Sequence, residues 1–290
     1  MTQPARCAFT GSVEEAAVRS TPVSSPELSL RPVAAKVPEI TVLFWIIKIL
    51  TTGTGEAASD WLASVSLVLA GGLGALGFVV SMWVQFRTRR YVPAAYWFAV
   101  LMVAVFGTMA ADALHKIIGI PYVITTAFYA VALAVVFALW QRTEGTLSIH
   151  SIRTRRREIW YWLTVLLTFA LGTAAGDLTA FVLHLGYFWS GVLFAAAIAV
   201  PAVGWRYGLN PVVAFWAAYV LTRPLGASFA DWLGKSHALG GLGWGDDVVS
   251  GVATLGIAVL VAYVAVSRHG IQSDIETPIR TREGSSAAAG

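Results

Sequence analysis

Four segments decide how this chain folds: FWIIKILTTGTGEAASD at 44–60, YWFAVLMVAVFGTMAAD at 96–112, YWLTVLLTFALGTAAGD at 161–177 and FWAAYVLTRPLGASFAD at 215–231. Each reads as an aromatic residue, a Trp, nine residues, a Gly, four residues and an Asp. The members are Trp45, Gly55 and Asp60; Trp97, Gly107 and Asp112; Trp162, Gly172 and Asp177; Trp216, Gly226 and Asp231. Recurrence at fixed positions marks a repeat architecture, in which one unit cannot bury its apolar face alone and stacks on its neighbours.

Each quoted segment is followed by a second apolar stretch. The eight stretches fall near 41–61, 65–86, 95–114, 121–141, 159–180, 187–206, 212–233 and 248–267. A helix needs about 20 apolar residues to cross ~30 Å of hydrocarbon. Barrel strands would be about half as long and would alternate in polarity. The chain is 57% hydrophobic and 12% charged, with mean hydropathy +0.69, whereas soluble domains carry roughly a quarter charged residues. The expected fold is an all-α integral membrane protein. Its eight transmembrane helices form four tandem two-helix repeats in parallel orientation, at about 41–90, 93–141, 158–206 and 212–267. This membrane domain, 39–268, is flanked by polar tails at 1–38 and 269–290, expected to be disordered. A soluble enzyme is excluded, and the single Cys7 excludes a disulfide framework.

Orientation comes from the basic residues. Sixteen of the 20 Lys and Arg residues lie in the tails or after even-numbered stretches, including the Arg153–Arg157 run. Only Lys116 and Lys235 follow odd stretches. The positive-inside bias therefore puts both termini in the cytoplasm, in a bacterial inner membrane. The basic residues, and with them the pI of 9.3, read as topology and lipid-headgroup signals, so no nucleic-acid partner is expected.

Spacing also predicts which residues face inward. At about 100° per residue, the positions 3, 7, 11 and 15 after each Trp share one helix face. In the first repeat these are Lys48, Thr52, Glu56 and Asp60; in the fourth, Arg223 and Asp231 lie on the same stripe. Small residues such as Ala104, Thr108 and Thr173 fill much of the remainder. Charge facing lipid is costly, so the stripes should face protein or water, and small side chains let helices approach closely. The four odd helices are therefore expected inside and the even ones outside. If the units close into a ring, repeats one and four meet, and Glu56, Asp60, Arg223 and Lys48 share a seam. Pro224 is expected to break its helix there. Trp45, Trp97, Trp162 and Trp216 read as interface anchors, and Gly55, Gly107, Gly172 and Gly226 as packing residues.

The chain resembles a bacterial family of uncharacterised membrane proteins built from four tandem two-helix repeats, each with a hallmark Trp. VPEITVLFWIIKILTTGTGE, TLSIHSI, FALGTAAGD and LTRPLGASFAD carry the resemblance, which covers about 37–267. It implies the architecture and no particular activity.

Function is read from the acids. Asp60, Asp112, Asp177, Asp231 and Glu56 outnumber Lys48 and Arg223 on the stripe, and such an interior needs cations, protons or water. One reading is a transporter or permeation pathway for a small cation, a divalent metal or a proton-coupled solute. The acids would bind, Arg223 and Lys48 would tune occupancy, and His115 would be an accessory ligand. The other reading is a non-transporting scaffold or sensor whose Asp residues are structural. An enzyme is not expected, because no nucleophile–base pair stands out. No cofactor motif appears either; GGLGALG at 71–77 follows no strand.

Overall fold

The computed structural model describes residues 35–267. The tails expected at 1–38 and 269–290 lie outside the described residues, apart from residues 35–38, and these are packed. Ala35, Lys36 and Val37 are buried, the Lys36 amide donates to the Ile152 carbonyl at 3.1 Å, and the Tyr91 amide donates to the Ala35 carbonyl at 3.0 Å.

Among the described residues the protein is all helical. Its long helices are α1 (Val42–Val65), α2 (Leu67–Arg87), α3 (Pro93–Asp112), α4 (Tyr122–Glu144), α5 (Arg155–Asp177), α6 (Gly186–Arg206), α7 (Pro211–Gly234) and α8 (Asp246–Ser267). Local chemistry sets their ends. Thr41, Thr154 and Asn210 accept backbone N–H bonds at the starts of α1, α5 and α7, and Pro93 and Pro211 occupy first-turn positions that need no donor. One extended residue, Ser66, separates α1 from α2 and caps the latter. Pro224 does not break α7, which runs through it; the ring only removes the hydrogen bond to the Val220 carbonyl.

Seven of the eight helices, all but α1, are long and apolar enough to cross a membrane. α1 carries Lys48, Glu56 and Asp60, all turned toward the bundle. Its outward residues remain apolar: Val42, Ile46, Ile49 and Val65 are exposed.

The odd helices form a closed ring in which α1 packs on α3, α3 on α5, α5 on α7, and α7 on α1. Each even helix lies outside, mainly against the odd helix of the next repeat: α2 on α3, α4 on α5, α6 on α7 and α8 on α1. Outer faces are apolar, with Val68, Val131, Val200 and Val252 exposed. This is the surface of a membrane protein.

The repeat motif builds the ring. At the N-terminal ends of the odd helices, the aromatic before each Trp packs on the next repeat's Trp. The ring centroids are 5.7 Å apart for Phe44–Trp97, 5.6 Å for Tyr96–Trp162, 6.2 Å for Tyr161–Trp216 and 5.8 Å for Phe215–Trp45. Trp97, Trp162 and Trp216 are therefore buried and Trp45 half-buried. They form a packed layer at the seams between the odd helices, not the interface anchors expected; Phe137 and Trp140 of α4 cover Trp216 from outside, and its Nε1 donates to the Leu147 carbonyl at 2.9 Å.

Ten residues past each Trp, the repeated Gly meets the next odd helix. A Cβ on Gly55 would lie 2.4 Å from Ala104 Cβ; on Gly107, 2.7 Å from Phe169 Cβ; on Gly172, 2.1 Å from Arg223 Cγ; on Gly226, 1.8 Å from Thr52 Oγ1. All four partners sit seven residues after their own Trp. The Gly residues thus set the inter-helix distance around the ring.

Gly226→Ala should be strongly destabilising, since its methyl would also lie 3.0 Å from the Gly53 backbone nitrogen, which cannot rotate away. Overpacking of this kind costs about 1–3 kcal/mol. Gly251→Ala in α8 meets nothing within 4 Å and should gain up to about 1 kcal/mol of helix propensity. Thermal unfolding in detergent separates the two, and equal Tm values would refute the ring contact.

Candidate cation-binding site

The ring has an axis, and the stripe positions stack along it in layers. Three residues past each Trp lie Lys48, Val100, Val165 and Tyr219; seven past, Thr52, Ala104, Phe169 and Arg223; eleven past, Glu56, Thr108, Thr173 and Ala227. All twelve are buried. Fifteen past lie Asp60, Asp112, Asp177 and Asp231, at the mouth.

Arg223 sits on the axis with no exposure. Its Nη2 donates to Glu56 Oε2 at 2.8 Å and to Thr173 Oγ1 at 2.9 Å, and also to Thr108 Oγ1. Its Nη1 donates to the Thr52 carbonyl at 2.9 Å. Thr108 and Thr173 also donate to Glu56 Oε2, at 3.2 and 3.1 Å. The geometry closes the axis at this level. Breaking such a buried pair on one side only typically costs about 3–5 kcal/mol.

Above the pair the axis opens into a vestibule of about 400 Å³, lined by Glu56, Asp60, Asp177, Asp231, Lys116 and Lys235 among others. Oxygens of Glu56, Asp60 and Asp231 lie within 4.8 Å of one another. Asp231 is 5% exposed, and its Oδ1 has no hydrogen bond. Lys235 Nζ bridges Asp60 Oδ2 at 2.5 Å and Asp246 Oδ2 at 2.8 Å, and lies 3.8 Å from Asp231 Oδ1. Lys116 Nζ pairs with Asp112 at 2.9 Å and reaches Asp60 at 3.5 Å. Burial opposes the charge on Lys235, just past the end of α7, but Asp60 and Asp231 outweigh it and raise its pKa. In and around the vestibule, Glu56, Asp60, Asp112, Asp177, Asp231 and Asp246 face Arg223, Lys116 and Lys235, so acids exceed bases by three.

The structure thus brings Glu56, Asp60, Asp177, Asp231 and Arg223 together. Asp112 joins through Lys116. Two expected participants are elsewhere. Lys48 lies two turns, about 12 Å, below Glu56. Its Nζ has no hydrogen-bond partner and sits 4.3 Å from the Phe169 ring centroid and 4.2 Å from that of Tyr219. His115 leaves the stripe because α3 ends in a π-turn, Ala113–Ile117, which inserts a residue and rotates the chain beyond it. Its Nδ1 bonds the Ile120 carbonyl at 2.7 Å, and its ring stacks on Tyr122 at 3.5 Å.

Stripe spacing alone does not mark Lys116, Lys235, Asp246 or the two threonines as site residues. A signal exists for the lysines, since each lies four residues after its repeat's Asp, and from there Lys116 also reaches Asp60 of the first repeat. Thr108 and Thr173 share the position of Glu56, but their role needs the Arg223 side chain in place. Asp246 belongs to no stripe, so no spacing reveals it.

Fold and site together define a helical membrane protein of four tandem repeats with a polar axis. The repeat described as "Repeat of Unknown Function (DUF347)" matches residues 43–91, 95–146, 160–207 and 214–269, and the chain belongs to this family. No curated protein and no solved structure matches it.

Lys48→Met should leave Tm unchanged or raise it. A cation over two aromatic rings gains ~2 kcal/mol, less than the several kcal/mol that an unpaired buried ion costs, and Met fills the same cage with favourable sulfur–ring contacts. A Tm drop comparable to that of Gly226→Ala would show that the Lys48 charge stabilises the core.

Proposed function

We propose that this is a multi-pass inner-membrane protein, with all eight helices spanning and both termini cytoplasmic, that binds a small cation in an outward-facing vestibule as a step in its transport or permeation. The lipid bilayer and the cation are its partners, and no enzymatic step is invoked. One observation carries the reading: three carboxylates from α1 and α7 converge within 4.8 Å, and the buried Asp231 aims an oxygen without a hydrogen bond into the same space. An all-oxygen carboxylate set suits hard cations such as Mg²⁺, Mn²⁺ or Ca²⁺. Asp177 lines the same vestibule, and Asp112 pairs with Lys116, which also lines it.

The scaffold reading keeps one specific support. Lys235 ties α1, α7 and α8 together through Asp60, Asp231 and Asp246, as a purely structural clamp would.

Asp231→Asn separates the two. Relief of like-charge repulsion should leave Tm unchanged or higher, while the affinity of the purified protein for Mn²⁺, by isothermal titration calorimetry, falls tenfold or more. Cation uptake into proteoliposomes should fall in parallel. A variant that loses stability, set against a native protein that binds none of these cations, would leave the clamp alone.

A further inference from the structure

The groups that grip Arg223 are a set that a bare cation would accept. Glu56 contributes a carboxylate oxygen, Thr108 and Thr173 contribute hydroxyls, and Thr52 contributes its backbone carbonyl. They come from α1, α3 and α5, and the guanidinium of α7 fills the space between them. All donors are oxygens, which selects hard cations. One carboxylate carries the only negative charge, which balances a monovalent ion, whereas divalent sites usually gather more carboxylate. At the same repeat position as Arg223, the other helices carry Thr52, Ala104 and Phe169. The two hydroxyls come from equivalent positions of α3 and α5, whereas the Glu56 carboxylate is particular to the first repeat and the Arg223 plug to the fourth.

We propose that Glu56, Thr108, Thr173 and the Thr52 carbonyl form a second, deeper site for a monovalent hard cation of the sodium type, and that the Arg223 guanidinium is its tethered occupant. The inference rests on the vestibule reading, because the vestibule is the cage's route to the outside. Pro224 gives the plug a means of withdrawal. It lies directly after Arg223 and leaves the Val220 carbonyl without its helical donor, so α7 bends most readily at that turn. An ion arriving from the vestibule competes with the guanidinium for Glu56.

Arg223→Met removes the plug and leaves the cage. Purified in sodium chloride, this variant should bind one more sodium per chain than the native protein, measured by equilibrium dialysis with radioactive sodium. Its Tm should rise by several degrees relative to choline chloride, because an ion bound only by the folded state stabilises it. If the unpaired Glu56 prevents folding in choline chloride, sodium should restore it. The double variant Glu56→Gln/Arg223→Met leaves no further ion unpaired and should fold in either salt without the extra sodium. Three results overturn the proposal: no additional sodium in folded Arg223→Met, failure of that variant to fold in both salts, or retention of the extra ion by the double variant. The vestibule reading is judged separately, on cation binding by native protein and its loss in Asp231→Asn.

Discussion

Everything in the structure depends on how closely four parallel helices approach one another. The repeated Gly residues let each odd helix lie against its neighbour with no side chain between them, and the contact always falls on the residue seven past the neighbour's Trp. At that separation the axis is filled by side chains, and little room remains for water. A charge placed there must find its partners within the protein. Arg223 and Glu56 do so, with the hydroxyls of Thr108 and Thr173 supplying the rest.

The symmetry makes the ring, and its breaches make the chemistry. Cyclic packing of aromatic on Trp and of Gly on the next helix is common to all four seams. Among the described residues, the charged side chains buried between the aromatic layer and the level of the Asp residues are Lys48 and Glu56 on α1 and Arg223 on α7. The seam where the first and last repeats meet is thus the one place at which the axis is polar throughout. Threonines on α3 and α5 complete it from the far side. Glu56 and Arg223 occupy different repeat positions, eleven and seven past their Trp, and each is present in one repeat only.

Much of this is legible in the sequence because a repeat converts spacing into geometry. Four copies of one motif define the inner helices, their common face and the level of the Asp residues, and the ends of the ring have only to meet. The departures share a cause: each depends on a side chain's reach or on a local change in helical period. The position of the Trp residues near the starts of the odd helices suggests interface anchors, but their burial comes from packing on the neighbouring repeat and, for Trp216, on α4. An ideal 3.6-residue period puts His115 on the stripe, and the π-turn after Asp112 invalidates that period within one turn. Lys48 shares a stripe with Glu56, yet a shared stripe says nothing of the two turns between them or of the rings of Phe169 and Tyr219 that enclose the amine.

The two ends of the axis differ in a way that bears on direction. One end is closed by the aromatic layer, and Lys36 and Gln85 cover it further by binding Glu158, at 2.6 and 3.1 Å. The other end opens into a vestibule with more acids than bases. A hydrated ion entering from the open end would meet carboxylates, then a guanidinium, then rings that offer no replacement for its hydration shell beyond weak π contacts. Passage would therefore require the ring itself to loosen. All four repeats point the same way, so there is no inverted half against which another could rock. On the transport reading, the movement would fall to a single inner helix relative to its two neighbours. α7 is the inner helix that lacks a backbone hydrogen bond at a proline, and it carries the group that blocks the axis. On the transport reading the gate and the plug lie on the same helix, one residue apart.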